Sequence, residues 1–150
     1  MTLENLLAIK LLQAFDATPT GVLRLLASAE RNLADAQLPA LSADNRFDAA
    51  YKTILQCAMI GLWANGYRTS TSQPGHHQTA LQALPKTLGV AQDTVIVLDA
   101  LRKQRNLNDY EGDPINDAAL RECLAQAASL LAHTRQWLQG HRADLLNENA

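Results

Sequence analysis

Residues 43–65 read ADNRFDAAYKTILQCAMIGLWAN, and this stretch decides the fold. Ser42 stands just before it, where a hydroxyl can accept from an orphan N–H of a helix start. Gly66 stands just after it, as the residue beyond a helix end. Between these signals Phe47, Tyr51, Ile54, Ala58 and Leu62 recur at helical spacing. From Ile54 to Ala64 the stretch is apolar on more than one face. A helix on the surface of a domain needs only one apolar stripe, so this one is expected at the centre, with other helices around it.

Composition agrees. Among 150 residues there are 26 Leu and 25 Ala, but only nine Val and Ile together. Leu and Ala are strong helix formers. A sheet protein draws on β-branched and aromatic residues that this chain lacks. The expectation is an all-α, antiparallel up-and-down bundle of about five helices in one domain spanning 1–150. Charge is nearly balanced, 13 Lys+Arg against 15 Asp+Glu, which excludes a uniformly basic surface but not a local basic patch. Cys57 and Cys123 sit in apolar helical segments, and two cysteines do not make a disulfide scaffold. The first residues lack a basic signal-peptide region, and Ile54 to Ala64 is too short to span a bilayer. A cytoplasmic protein without a membrane association is expected.

The other helices follow from punctuation. Thr2 caps a first, accessory helix over 3–15, which Thr18-Pro19-Thr20-Gly21 interrupts. A second runs from about Val22 to Gln37. Tyr67 to Gly75 is the most loop-like stretch. His76 to Leu88 forms a helix broken near Pro85 and closed by Gly89. Another spans about Thr94 to Asn106, with a loop over Asn108 to Asn116. The last runs from Asp117 to Gln139, and a tail over 141–150 is expected to fray.

One stretch carries chemistry beyond packing: Leu101-Arg102-Lys103-Gln104-Arg105-Asn106-Leu107-Asn108-Asp109-Tyr110. Arg102 and Arg105 are three apart and share a helix face. With Asn106 and Tyr110 they offer guanidinium forks, an amide and an aromatic ring to a phosphate-bearing ligand. The structural alternative is that cations favour a helix C-terminus, or that the arginines pair with Asp109, Glu111 or Asp113.

This stretch resembles the signature region of HEPN domains, small helical bundles of prokaryotic defence and toxin–antitoxin systems. Active members carry Arg, often followed by Asn, then four to six residues and a His, and Arg105-Asn106 matches the opening. Further similarities follow in order: Arg46-Phe47-Asp48-Ala49-Ala50-Tyr51, Gly66-Tyr67-Arg68, Gly75-His76-His77, Ala83-Leu84-Pro85, Leu88-Gly89 and Trp137-Leu138. Together they cover roughly 26–146. The resemblance implies a HEPN-like bundle, a homodimer with facing motifs, RNA or a nucleotide as ligand, and in some settings a nucleotidyltransferase partner. For active members it implies metal-independent RNA cleavage without a cofactor, with Arg105 as the candidate catalytic residue and Arg102, Arg105, Asn106 and Tyr110 as the RNA- or phosphate-binding group. The chain departs from the pattern at one point. Tyr110 stands where the His is expected, and no His occurs between His77 and His133. A phenol of ordinary pKa about 10 serves as a hydrogen-bond donor or stacking ring better than as a base at neutral pH. The first reading is therefore a dimeric RNA- or nucleotide-associated binding or partner module, and the alternative is a ribonuclease toxin using Arg105.

His76, His77 and Arg46 are secondary candidates. Adjacent histidines on a helix point about 100° apart and do not share a metal, so only one is expected to face the bundle. Glu-x-x-His is absent, which removes the di-iron bundle, and no metal is expected. Arg46 shares the central helix with Tyr51 and Trp63 and reads most simply as a surface residue. A second alternative is a helix-turn-helix DNA-binding regulator over 80–105, with its turn at Gly89. It needs Gln92, Asp93, Ile96 and Val97 on the surface, whereas Ile96 and Val97 are expected in the core.

Overall fold

The computed structural model describes residues 2–147. Its elements are, in order, α1 (Leu3–Ala8), β1 (Leu12–Ala14), α2 (Pro19–Ala36), α3 (Ala43–Ala64), β2 (Tyr67–Thr69), α4 (His76–Gln82), α5 (Leu84–Thr87), α6 (Gln92–Glu111) and α7 (Asp117–His141), then a 3₁₀ turn over Ala143–Leu146. The result is an all-α bundle of four long helices with short helical segments between them. No helix is long and apolar enough to cross a membrane among the described residues.

The quoted stretch is the centre of that bundle. Ser42 Oγ accepts from Asn45 N at 3.1 Å, and Gly66 has the positive φ of 91° that the helix end requires. Phe47, Tyr51, Ile54, Cys57, Ala58, Ile60 and Leu62 are all fully buried. Helix α3 touches α2, α4, α5, α6 and α7. Its seam with α2 is partly polar and fully paired. Thr53 Oγ1 donates to Ala29 O at 2.9 Å, Asn32 to Gln56 at 2.9 Å, and Gln56 to Ser28 at 3.0 Å. At Gly61 the backbone of α3 comes so close to α5 that a Cβ would meet Thr87 Oγ1 at 2.8 Å and Leu88 Cγ at 2.9 Å.

Several boundaries differ from the sequence reading. Helix α2 begins at Pro19 and not at Val22, because Thr18 Oγ1 accepts from Gly21 N at 3.1 Å and Pro19 suits the first turn. The first helix ends at Ala8, not near Phe15. Leu11 N bonds to Leu6 O and Lys10 N to Leu7 O, the two bonds of a Schellman closure, with Lys10 at φ 67°. Residues 12–14 instead pair antiparallel with residues 67–69, in the register Leu12 to Thr69 and Ala14 to Tyr67. The stretch expected as the loosest loop thus begins with a strand, and Leu12 is buried beneath it.

The helix over 76–88 is interrupted near Pro85 as expected, in two pieces, α4 and α5, with Pro85 in the first turn of the second. Helix α6 runs on to Glu111 and ends at Gly112, whose φ of 72° suits glycine. Asn106 to Tyr110, expected at the helix exit and in the loop after it, is therefore helical. The cations of α6 lie in its interior, so the helix dipole does not account for them. Finally, 142–147 is held rather than frayed. Leu145 is buried and Arg142 Nη1 donates to Ala64 O at 2.6 Å. The rest of the expected frayed tail, 148–150, lies outside the described residues.

Candidate functional site

Helix α6 presents Arg102, Arg105, Asn106 and Tyr110 on one side, and they face the start of α4 with His76 and His77. These six residues, with Gly75 and Gln78, line a groove of about 280 Å³. The helical run through Tyr110 makes this possible. Spacings of three, four and eight keep Arg102, Arg105, Asn106 and Tyr110 on one face, which an exit loop would not.

The arginines are held by acids. Arg102 Nε donates to Asp99 Oδ1 at 2.8 Å, one turn back. Lys103 Nζ lies 3.6 Å from the other oxygen of Asp99. Arg105 Nε lies 2.9 Å from Asp109 Oδ2 and 3.7 Å from Asp48 Oδ1, close ion-pair contacts without hydrogen-bond alignment. Of the three acids the spacing offers, Asp109 is thus the one that pairs. These contacts fall on Nε. Arg105 Nη1 adds a long contact of 3.5 Å to Asn106 Oδ1. A guanidinium has five N–H donors, so each arginine keeps donors for an acceptor in the groove.

Behind the lining, between Arg105 and His77, lies Tyr51 of α3. Its ring is 1% exposed, and the Arg105 guanidinium carbon lies 5.6 Å from its centre, within cation–π range. Its hydroxyl lies 3.4 Å from Nδ1 of His77. The His77 ring in turn meets the His76 ring edge-on, with centroids 4.7 Å apart. Burial pushes the Tyr51 phenol up to about 12, against the opposing pull of Arg105 and Arg102. Burial also lowers the pKa of His77 below the ordinary imidazole value, helped by His76, Arg105 and Arg102. His77 is therefore neutral at pH 7. It is the histidine of the pair that turns toward the bundle.

The remaining candidates lie elsewhere. Arg46 Nε donates to Ala36 O at 2.8 Å, which caps the C-terminus of α2. Trp63 packs against Phe15 with ring centroids 5.1 Å apart. Among the described residues no group of three or more His, Cys, Asp or Glu is placed to hold a metal. For the helix-turn-helix reading the outcome is mixed. Leu98 is buried and Val97 half-buried, but Ile96 is 62% exposed and not in the core as expected. The outer face of α6 before Arg102 offers Gln92, Asp93 and Ile96 and no cation, and the exposed Lys86 lies on α5. An acid and an isoleucine make a poor surface for phosphate.

Sequence reasoning missed three members of the site. Asp99 stands three residues before Arg102, a spacing that marks side-chain neighbours on a helix, whereas Asp48 approaches Arg105 from another helix and had no such signal. Tyr51 as a link between Arg105 and His77 had no signal in the sequence, because three separate helices supply the three residues. No protein-family model matches this chain, and no curated protein matches it.

Proposed function

We propose that this protein is a HEPN-like binding module that holds the phosphates of RNA or of a nucleotide in the groove between α4 and α6. The observation that carries the reading is the convergence of Arg102, Arg105, Asn106 and Tyr110 with His76 and His77 around that one groove. Guanidinium forks suit phosphate oxygens, and Tyr110, 79% exposed, offers a ring for a base to stack on. Asp99, Asp109 and Asp48 offset the positive charge, so binding is selective and moderate in strength rather than a general attraction to polyanions. In this reading the protein works as a cytoplasmic homodimer in a defence or toxin–antitoxin setting, beside a nucleotidyltransferase.

The test is the mass in solution together with the fluorescence anisotropy of a short labelled RNA and of a labelled nucleotide. A dimer that binds one of them, and loses it in Arg105→Ala, is the expected result. A monomer that ignores both overturns the proposal.

A second reading, a metal-independent ribonuclease, is favoured by the imidazoles in the groove. Arg105 would stabilise the negative charge of the phosphorane while an imidazole takes the ribose 2′-hydroxyl proton. Structured RNA incubated in EDTA separates the two readings. Cleavage lost in Arg105→Ala supports the enzyme. Binding without cleavage supports the module.

A further inference from the structure

We propose that the Tyr51 hydroxyl, by donating to Nδ1 of His77, fixes that imidazole as its Nε2–H tautomer and makes His77 a phosphate-contacting residue of the groove. Tyr51 is then its positioning residue. This rests on the reading of the groove as a phosphate site and names a further member of it.

The argument starts with the buried phenol. A buried O–H needs an acceptor, since leaving one unmet costs the desolvation of the group. Among the described residues Nδ1 of His77, at 3.4 Å, is the one hydrogen-bond partner of this hydroxyl. That distance is long for an O–H donor, yet no competing acceptor is in place. A neutral imidazole that accepts at Nδ1 carries its proton on Nε2. His77 lines the groove while Nδ1 is turned to Tyr51, so Nε2 is the nitrogen left to a ligand. Nε2 has no hydrogen-bond partner among the described residues.

The surroundings fix the direction of the charge. Tyr51 from α3, His76 on the same helix, and Arg102 and Arg105 from α6 face this ring, and burial first, then His76 and the two guanidiniums, disfavour its protonation. Bound phosphate opposes the guanidinium part of that effect. Its negative charge offsets both arginines and favours protonation of His77. Binding and protonation of His77 are therefore coupled, and affinity rises as pH falls below neutrality.

Two-bond ¹H–¹⁵N spectra of the imidazoles test this, in the free protein and with a short single-stranded RNA or with ATP. The expected results are an Nε2–H tautomer for His77, a shift of its ring signals on saturation with at least one of the two ligands, and an upward move of its titration midpoint. Tyr51→Phe keeps the packing of the ring. It should mix the tautomers and weaken binding about threefold to tenfold, in line with the loss of one oriented hydrogen bond. A response to ATP and not to RNA also supports the proposal and names the ligand as a free nucleotide. An Nδ1–H tautomer in the free protein overturns it. So do His77 signals that stay still while Arg105-dependent binding persists, and in that case the phosphate reading of the groove stands. If neither RNA nor ATP binds, the groove reading and the phosphate contact fall together.

Discussion

The guanidinium carbon of Arg105 lies 5.6 Å from the centre of the Tyr51 ring, so this arginine of α6 rests on the most buried helix of the bundle. Tyr51 is held by the core, and Arg105 is held by Tyr51, Asp109 and Asp48. A long side chain loses much rotamer freedom when it is ordered. Here that loss is met by folding, so a ligand of the proposed kind would meet an arginine already in position.

If the groove takes a phosphate as proposed, the acids beside Arg105 compete with it. Asp109→Asn should therefore tighten RNA binding by about twofold to threefold, while Arg105→Ala should weaken it about tenfold or more. Anisotropy titrations at one fixed salt concentration measure both, since phosphate contacts are salt-dependent. Equal affinities in all three proteins would remove Arg105 from the binding site.

His77 should also leave a mark on stability. Its folded pKa lies below the unfolded value of 6.5, so the unfolded chain takes up a proton first as pH falls. The stabilising contribution of the neutral ring is fully present above about pH 6.5 and is lost as pH drops through the folded pKa. Urea midpoints at pH 7.5 and 5.5 read this. The fall between them should be smaller in His77→Gln than in the wild type.

Burial pushes the thiols of Cys57 and Cys123 up to about 12. The thiolate is the reactive form, so a disulfide reagent should find neither in the native protein. Labelling at pH 8 should run on the order of 100-fold slower than in concentrated urea and should follow unfolding. Rapid native labelling of one equivalent would show that a cysteine-bearing helix opens readily.

Two substitutions away from the groove separate stability from binding. Leu145→Ala removes a buried side chain from the end of the chain and should cost about 2–5 kcal/mol. Arg46→Ala removes the hydrogen bond to the last carbonyl of α2 and should cost about 1 kcal/mol. Urea unfolding measures both, and RNA affinity should stay within about twofold of wild type in each. A large loss of affinity in Arg46→Ala would bring that arginine back among the binding residues.

The sequence was informative wherever the deciding interaction is local. Ser42 and Gly66 bound α3 because caps act within one turn, and the apolar run from Ile54 to Ala64 marked the centre because burial on every side leaves no polar face. It misplaced residues 12–14 and 67–69, because three-residue strands exist only through each other. It ended α6 too early, since Asn106, Asn108 and Asp109 are weak helix formers, but the Arg105–Asp109 pair and the closure at Gly112, with Gly112 N bonded to Asn108 O and Asp113 N to Leu107 O, carry the helix through them. It loosened the end of the chain, where Leu145 reaches the core and Arg142 reaches the last turn of α3.

By itself, then, the sequence determined a helical bundle around residues 43–64 and singled out Arg102, Arg105, Asn106 and Tyr110 as the group with chemistry to offer. Only the tertiary structure brought His76 and His77 into their groove and set Tyr51 between His77 and Arg105. The reason is physical. Helix periodicity and capping are written within a few residues, whereas the meeting of α3, α4 and α6 is decided by how their apolar faces pack.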